Sequence, residues 1–283
     1  MSSIIDPRSN RVIVCEGNEN SPDKILYSRM FINPEPFTPK WHYGIRLIPA
    51  GGKQGIASYA RGYARDGNYV VVRDRDLDAQ PQQGGGLIQW NNGKLILTGR
   101  TCLESYFLSP ELLWRYGQLR SLNLALEDCQ PSLNDALHEV RDYQVMRWAL
   151  QMLREMLKPI NEESLGNRLT KADGDLPNLA EDFLKQQAQS KIETAQETSR
   201  KASVEALFEQ YEAFKQRFDG DDFWNTEQPY DWFHGKDVLT AWLRRHANVN
   251  HADYTKWAAY HVAWENFADL KALQEYCLTP SEG

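Results

Sequence analysis

The stretch YVVVRDRDLDA at residues 69–79 limits the fold of this chain more than any other segment. Four consecutive residues of high strand propensity, three of them β-branched, suit a strand covered on both faces, and such strands belong to mostly parallel sheets whose crossovers are helices. The apolar run gives way abruptly to charge, with Asp74, Asp76 and Asp78 at alternate positions just beyond the strand. Ligands of open α/β sheets sit past the carboxyl ends of strands, so these acids stand where such a sheet does its chemistry. One reading is a solvated turn in which arginines neutralise the aspartates. The other is a site for a hard divalent cation, which takes oxygen ligands.

The flanking sequence repeats the strand and helix alternation. Strands are expected at 12–15 and 45–48, a helix at 21–30, and a second helix near 56–65 after GGKQG. A hairpin is expected from 87–90 to 95–98 across Asn91-Asn92-Gly93. Together these predict an α/β domain over 1–108, a mostly parallel sheet flanked by helices. Past Glu104 the pattern becomes helical, which predicts a mainly α-helical domain over 109–283 for partner binding, dimerisation or substrate contact. Within it, Val145, Trp148, Ala149, Met152, Leu153 and Met156 form one buried stripe, and Pro159 is expected to end that helix. Residues 160–180 read as a loop, and sparse apolar residues between Leu184 and Val204 indicate a long exposed helix or arm. Trp257, Tyr260, His261, Trp264 and Phe267 fall on one helical face and are expected in the core.

Composition narrows the function classes. The 283 residues carry a net charge of -7, yet residues 1–108 hold 13 Lys and Arg against 10 Asp and Glu, while 109–283 hold 19 against 29. The N-terminal part is the basic one, and a local basic patch is what phosphate contacts require. No apolar stretch reaches the ~20 residues of a bilayer span, and MSSIIDPRSN lacks a signal pattern, so a cytoplasmic protein with no membrane partner is expected. Cys15, Cys102, Cys129 and Cys277 form no CxxC pair, so neither a zinc module nor a disulfide framework is indicated.

Acids also follow other strands. Glu16 and the turn-forming Gly17 come directly after the first, and Glu104 follows the strand near Leu97, where it also suits a first-turn helix carboxylate. A strand ending in Glu-Gly, a later strand ending in Asp-x-Asp, and intervening helices resemble the TOPRIM fold of topoisomerases, primases and overcoming-lysogenization-defect nucleases. GGK at 51–53, RDRD at 73–76, LESYF at 103–107 and HGKD at 234–237 are similar to a compact TOPRIM family with a helical C-terminal half, that of the TOPRIM effectors of the PARIS anti-phage defence system. The family often has an aspartate soon after Glu-Gly. Here GNENSP intervenes before Asp23, with Glu19 as the substitute.

The resemblance implies a Mg²⁺- or Mn²⁺-dependent endonuclease, a toxic defence effector that cleaves transfer RNA under the control of an ABC-type ATPase partner, with homodimerisation open. Asp74 and Asp76 are then metal ligands, Glu16 a ligand or the group that positions and deprotonates water, and Glu104 part of a second metal position. Lys53 contacts a phosphate, although GGKQG is not a GxxxxGK[ST] loop and equally suits an ordinary helix entry. His234-Gly235-Lys236-Asp237 reads as a helix N-terminus or a substrate contact, and Arg244, Arg245 and His246 as a solvated basic helix end. The alternatives are a non-catalytic TOPRIM module that binds nucleic acid or a partner protein, and a DNA nuclease of the overcoming-lysogenization-defect type. Topoisomerase and primase are disfavoured, because the chain has no room for strand-passage domains and no cysteine zinc module.

Overall fold

The computed structural model describes residues 11–31, 45–52, 55–56, 58–59, 69–82, 86–90, 93–162, 181–246 and 249–278. Its sheet has five strands, β1 (Val12–Cys15), β2 (Arg46–Pro49), β3 (Tyr69–Arg73), β4 (Ile88–Trp90) and β5 (Leu95–Leu97), in the order β2-β1-β3-β5-β4. β1 lies parallel between β2 and β3, β3 pairs parallel with β5, and only the edge strand β4 runs antiparallel. Val70, Val71 and Val72 are buried, as their uninterrupted apolar run requires of a central strand. The expected hairpin forms between β4 and β5, where Gly93 takes φ 77° in the turn. β2 begins one residue later than expected.

This strand order sets the location of the site. The chain leaves β1 through helix α1 (Pro22–Phe31) toward β2 on one side, and leaves β3 toward β4 and β5 on the other. The connections diverge between β1 and β3, the kind of switch point at whose carboxyl ends open α/β sheets place their ligands. Glu16 follows one of these strands and Asp74 the other.

After β5 the structure is helical: a 3₁₀ turn at Leu103–Phe107, α2 (Pro110–Leu119), α3 (Leu126–Glu162), α4 (Glu181–Lys201), α5 (Val204–Asp219), α6 (Asp221–Trp224), α7 (Gln228–Trp232), α8 (Gly235–Arg244), α9 (His251–His261), a 3₁₀ turn at Trp264–Asn266, and α10 (Ala268–Leu278). Compactness divides the chain elsewhere than at residue 108: one unit comprises residues 1–141 with 224–283, the other 142–223. The last helices return to the sheet domain. Arg29 of α1 donates to the Ala259 and Val262 carbonyls at 2.9 Å each, Gln274 donates to the Met30 carbonyl at 2.6 Å, and Tyr254 donates to the Phe107 carbonyl at 2.6 Å.

Some local expectations are corrected. Pro159 does not stop α3, which continues to Glu162. The exposed arm is broken at Ser203, whose hydroxyl accepts from the Ala206 N–H at 3.2 Å and caps α5. The C-terminal aromatics do not share one buried helical face: α9 ends at His261, Tyr260 is exposed, and Trp264 is buried in a separate turn. Of the helix expected at 56–65, residues 56, 58 and 59 are helical and the others lie outside the described residues. No described helix is long and apolar enough to cross a membrane.

Candidate active site

The parallel register brings the first acids together. Cys15 is level with Val72, so Glu16 arrives beside Arg73, whose Nε lies 3.6 Å from Glu16 Oε1. Arg73 also pairs with Asp78, which is thereby committed to an arginine. Gly17 turns the chain away at φ 83°, and a Cβ there would collide with the Ser21 hydroxyl. Gly51, with φ 73°, donates its N–H to the Gly17 carbonyl at 2.5 Å, so the glycine turn after β2 abuts the turn after β1. Lys53 lies outside the described residues.

Asp74 and Glu104 meet across β3 and the 3₁₀ turn. The Leu103 N–H donates to Asp74 Oδ2 at 3.2 Å, at the entry to a turn whose five residues are all buried. Asp74 Oδ1 and Glu104 Oε2 are buried with no hydrogen-bond partner among the described residues. Leaving an acceptor in that state costs about 1–3 kcal/mol. Asp269, another buried acid, differs: it accepts from Tyr106 O–H and from the Gly99 N–H, so its role is structural.

Asp76 adopts φ 49°, a left-handed conformation that aspartate tolerates better than most residues, and its N–H donates to the Thr101 carbonyl at 2.6 Å. Between the two aspartates, Arg75 is fully buried and donates to the carbonyls of Gly99, Ala79 and Asp231. Burial pulls its guanidinium down to about 10. The two arginines of RDRD therefore do different work, one facing carboxylates and one tying the loop to the C-terminal helices.

The acid that follows Glu-Gly is Asp23, not Glu19. Glu19 is exposed and lies 3.7 Å from Lys24, whereas Asp23 in the first turn of α1 faces the other acids. Burial pushes the Asp23 carboxyl up to about 7; a backbone hydrogen bond opposes this, Glu104 and Glu16 add to it, and Lys236 counters. Asp74 stands well above the ordinary carboxylate range, first through burial and then through Asp23, Glu104, Glu16 and Asp76. Tyr27 lies beneath them, wholly buried, with a hydroxyl that has no partner among the described residues; burial, then Asp74 and Asp23, raise it.

Cationic compensation comes from the HGKD segment at the start of α8. His234 Nε2 is 3.5 Å from Asp76 Oδ1 and its Nδ1 is 3.9 Å from Asp237 Oδ2. Lys236 Nζ is 3.9 Å from Glu104 Oε1. Burial pulls the Lys236 ammonium down but is outweighed, by Glu104 first and then Cys102, Asp74 and Asp76, so it is pushed up to about 12. The approach depends on Gly235, where a Cβ would meet the Ser105 backbone nitrogen and, at 2.6 Å, its hydroxyl. Thr101 secures the same junction by donating to the Phe233 carbonyl at 2.8 Å. By contrast Arg244 and Arg245 face acids of α3: Arg245 pairs with Asp135 at 3.1 Å and Glu139 at 2.9 Å, and Arg244 is 3.8 Å from Glu139.

The donor set suits a hard divalent cation in kind, with buried carboxylate oxygens left without hydrogen-bond donors at a strand rim. Among the described residues no group of three or more His, Cys, Asp or Glu side chains is drawn together as a metal cluster, so the acids stand in electrostatic range but not at ligand spacing. Of the sequence candidates, Glu16, Asp74, Asp76 and Glu104 share this rim. Asp23, Lys236 and His234 join them, and the signal available for these was the HGKD motif and the aspartate at the head of α1. No protein-family model and no curated protein matches the chain.

Proposed function

We propose that the chain is a metal-dependent phosphodiester hydrolase with a TOPRIM-like catalytic domain, an endonuclease acting on RNA. The observation that supports this most is the pair of buried, donor-free carboxylate oxygens on Asp74 and Glu104, with Asp23 and Lys236 in electrostatic range, past the carboxyl ends of the strands. A cluster of carboxyls raised by burial and mutual repulsion costs stability, and such costs concentrate at functional sites. A bound Mg²⁺ or Mn²⁺ supplies charge stabilisation at the phosphoryl oxygens and a water activated near neutral pH.

Asp74, Glu104 and Asp23 are the residues that would hold the cation, with Asp76 beside them. Glu16, kept in place by Arg73 at 3.6 Å, is the base that positions the attacking water and takes its proton. Lys236 faces the phosphoryl group and offsets charge that develops on it, a role worth about 10²–10³ in rate for a well-placed donor. The reading as a defence effector that cleaves transfer RNA under an ABC-type ATPase rests on the motif resemblance, as do the Mg²⁺ preference and homodimerisation.

The test is incubation of purified protein with transfer RNA, other RNA and DNA in Mg²⁺ or Mn²⁺, with and without a candidate ABC-type ATPase. RNA cleavage that is lost in chelator and in Asp74→Asn and Glu16→Gln supports the reading. Cleavage unchanged by those substitutions removes the residues from the mechanism. Binding without turnover under every condition assigns a non-catalytic module, and cleavage of DNA alone assigns a nuclease of the overcoming-lysogenization-defect type.

A further inference from the structure

Helix α2 buries Leu112, Leu113, Tyr116 and Gly117, which leaves Trp114, Arg115, Gln118 and Leu119 on its outer face. Helix α9 buries Tyr254, Thr255, Ala258 and Ala259 and sets Trp257 and His261, one turn apart, at the edge of its buried stripe. These six outer residues line a cleft of about 290 Å³. An outward tryptophan beside a leucine that is 66% exposed is not what an amphipathic helix puts on its solvated side.

The lining has a specific chemistry. Trp257 and His261 stack face to face with ring centroids 4.2 Å apart and planes 17° apart, so His261 covers one face of the indole and extends the stack toward solvent. His261 Nδ1 donates to the Trp257 carbonyl at 2.7 Å, which fixes the ring against the indole. Arg115 lies 5.9 Å from the Trp257 ring centre and has no carboxylate partner among the described residues. It is thus a positive group beside an aromatic surface. Neighbouring Arg120, by contrast, lies 3.3 Å from Asp253.

We infer that this cleft is a stacking subsite for single-stranded nucleic acid, in which one unpaired base continues the Trp257–His261 stack beside Trp114 and Arg115 meets its adjacent phosphate. Gln118 at the mouth offers an amide to a base edge. A flat aromatic surface with one unneutralised guanidinium matches a base and its phosphate, and such platforms bind every base because each has a π-face. A purely apolar peptide would leave Arg115 without a counterion. The inference rests on the reading of the chain as one that handles nucleic acid, but not on catalysis.

The test uses the full chain in chelator, so that nothing is cut, and follows tryptophan quenching on titration with a short oligouridylate and with an abasic oligomer of equal length. The oligouridylate is expected to bind and quench, and the abasic oligomer to bind about tenfold more weakly. Trp114→Ala is expected to weaken binding about tenfold; exposed Arg115→Ala weakens it and lowers the salt slope by about one. No binding, equal binding of the abasic oligomer, or unchanged affinity in Arg115→Ala overturns the inference; Arg115→Ala alone decides it if Trp114→Ala misfolds. Binding that passes these tests while Mg²⁺-dependent cleavage is absent sinks only the nuclease reading. Cleavage that persists while they fail sinks only this one.

Discussion

Replacing Asp23 with asparagine should make the cation-free protein more stable at high pH while weakening its response to divalent cations. The Asp23 carboxyl is raised from 3.8 to about 7, so the folded chain holds an extra proton across that window. Stability therefore falls as pH rises from about 4 through about 7, and above it the ionised group weighs against the fold. About three units correspond to roughly 4 kcal/mol. The side chain keeps some exposure, and solvent screening brings this to roughly 1–2 kcal/mol. Against it stands the loss of a first-turn carboxylate from α1, about 0.3–1 kcal/mol. The balance is about 1 kcal/mol in favour of Asp23→Asn near pH 8, or about 3 °C in melting temperature, with no gain near pH 4. Thermal melts at both pH values, each with and without Mn²⁺, check this. Wild type should gain more from Mn²⁺ at the higher pH, and the variant should gain less than wild type. An Asp23→Asn protein that is equally destabilised at both pH values refutes the repelling-acid reasoning.

Three further outcomes follow from the same geometry. Lys236→Met should lower Mg²⁺-dependent cleavage by about 10²-fold with far less change in substrate affinity, read as a fall in kcat at near-constant KM. Gly235→Ala, which drives a Cβ into Ser105, should destabilise the protein by about 1–3 kcal/mol in urea titration and reduce activity with it. Arg75→Leu strands the carbonyls of Gly99, Ala79 and Asp231 and should cost at least about 3 kcal/mol, with loss of cleavage as the loop carrying Asp74 and Asp76 comes away from the C-terminal helices.

Much of this rim was legible in the sequence because strand ends are. The β-branched run of β3 located Asp74, and the parallel arrangement it required put Glu16 on the same edge without any knowledge of contacts. By spacing alone Asp78 matched Asp74 and Asp76, and only the Asp-x-Asp resemblance set it apart; spacing says nothing about which carboxylate an arginine will hold, and Arg73 holds Asp78. Asp23 was obscured by the five residues between it and Gly17, although the tight turn at Gly17 brings α1 straight back to the rim. Lys236 and His234 were the hardest to weigh. They lie far along the chain, and only the return of the C-terminal helices, fixed by long-range contacts such as Thr101 to Phe233, sets them against Glu104 and Asp76. Local periodicity carries no record of such closure, which is also why the compact unit spans both ends of the chain.

Titration of the full-length protein with Mn²⁺ by calorimetry, in two buffers of different ionisation enthalpy near pH 6.5, tests the shared-cation site most directly. Saturable binding that releases protons, strengthens as pH rises and is lost in Asp74→Asn is the expected result, because carboxyls raised by burial must give up protons to bind. Binding of equal affinity in Asp74→Asn and Glu104→Gln, or no saturable binding at any pH, contradicts it.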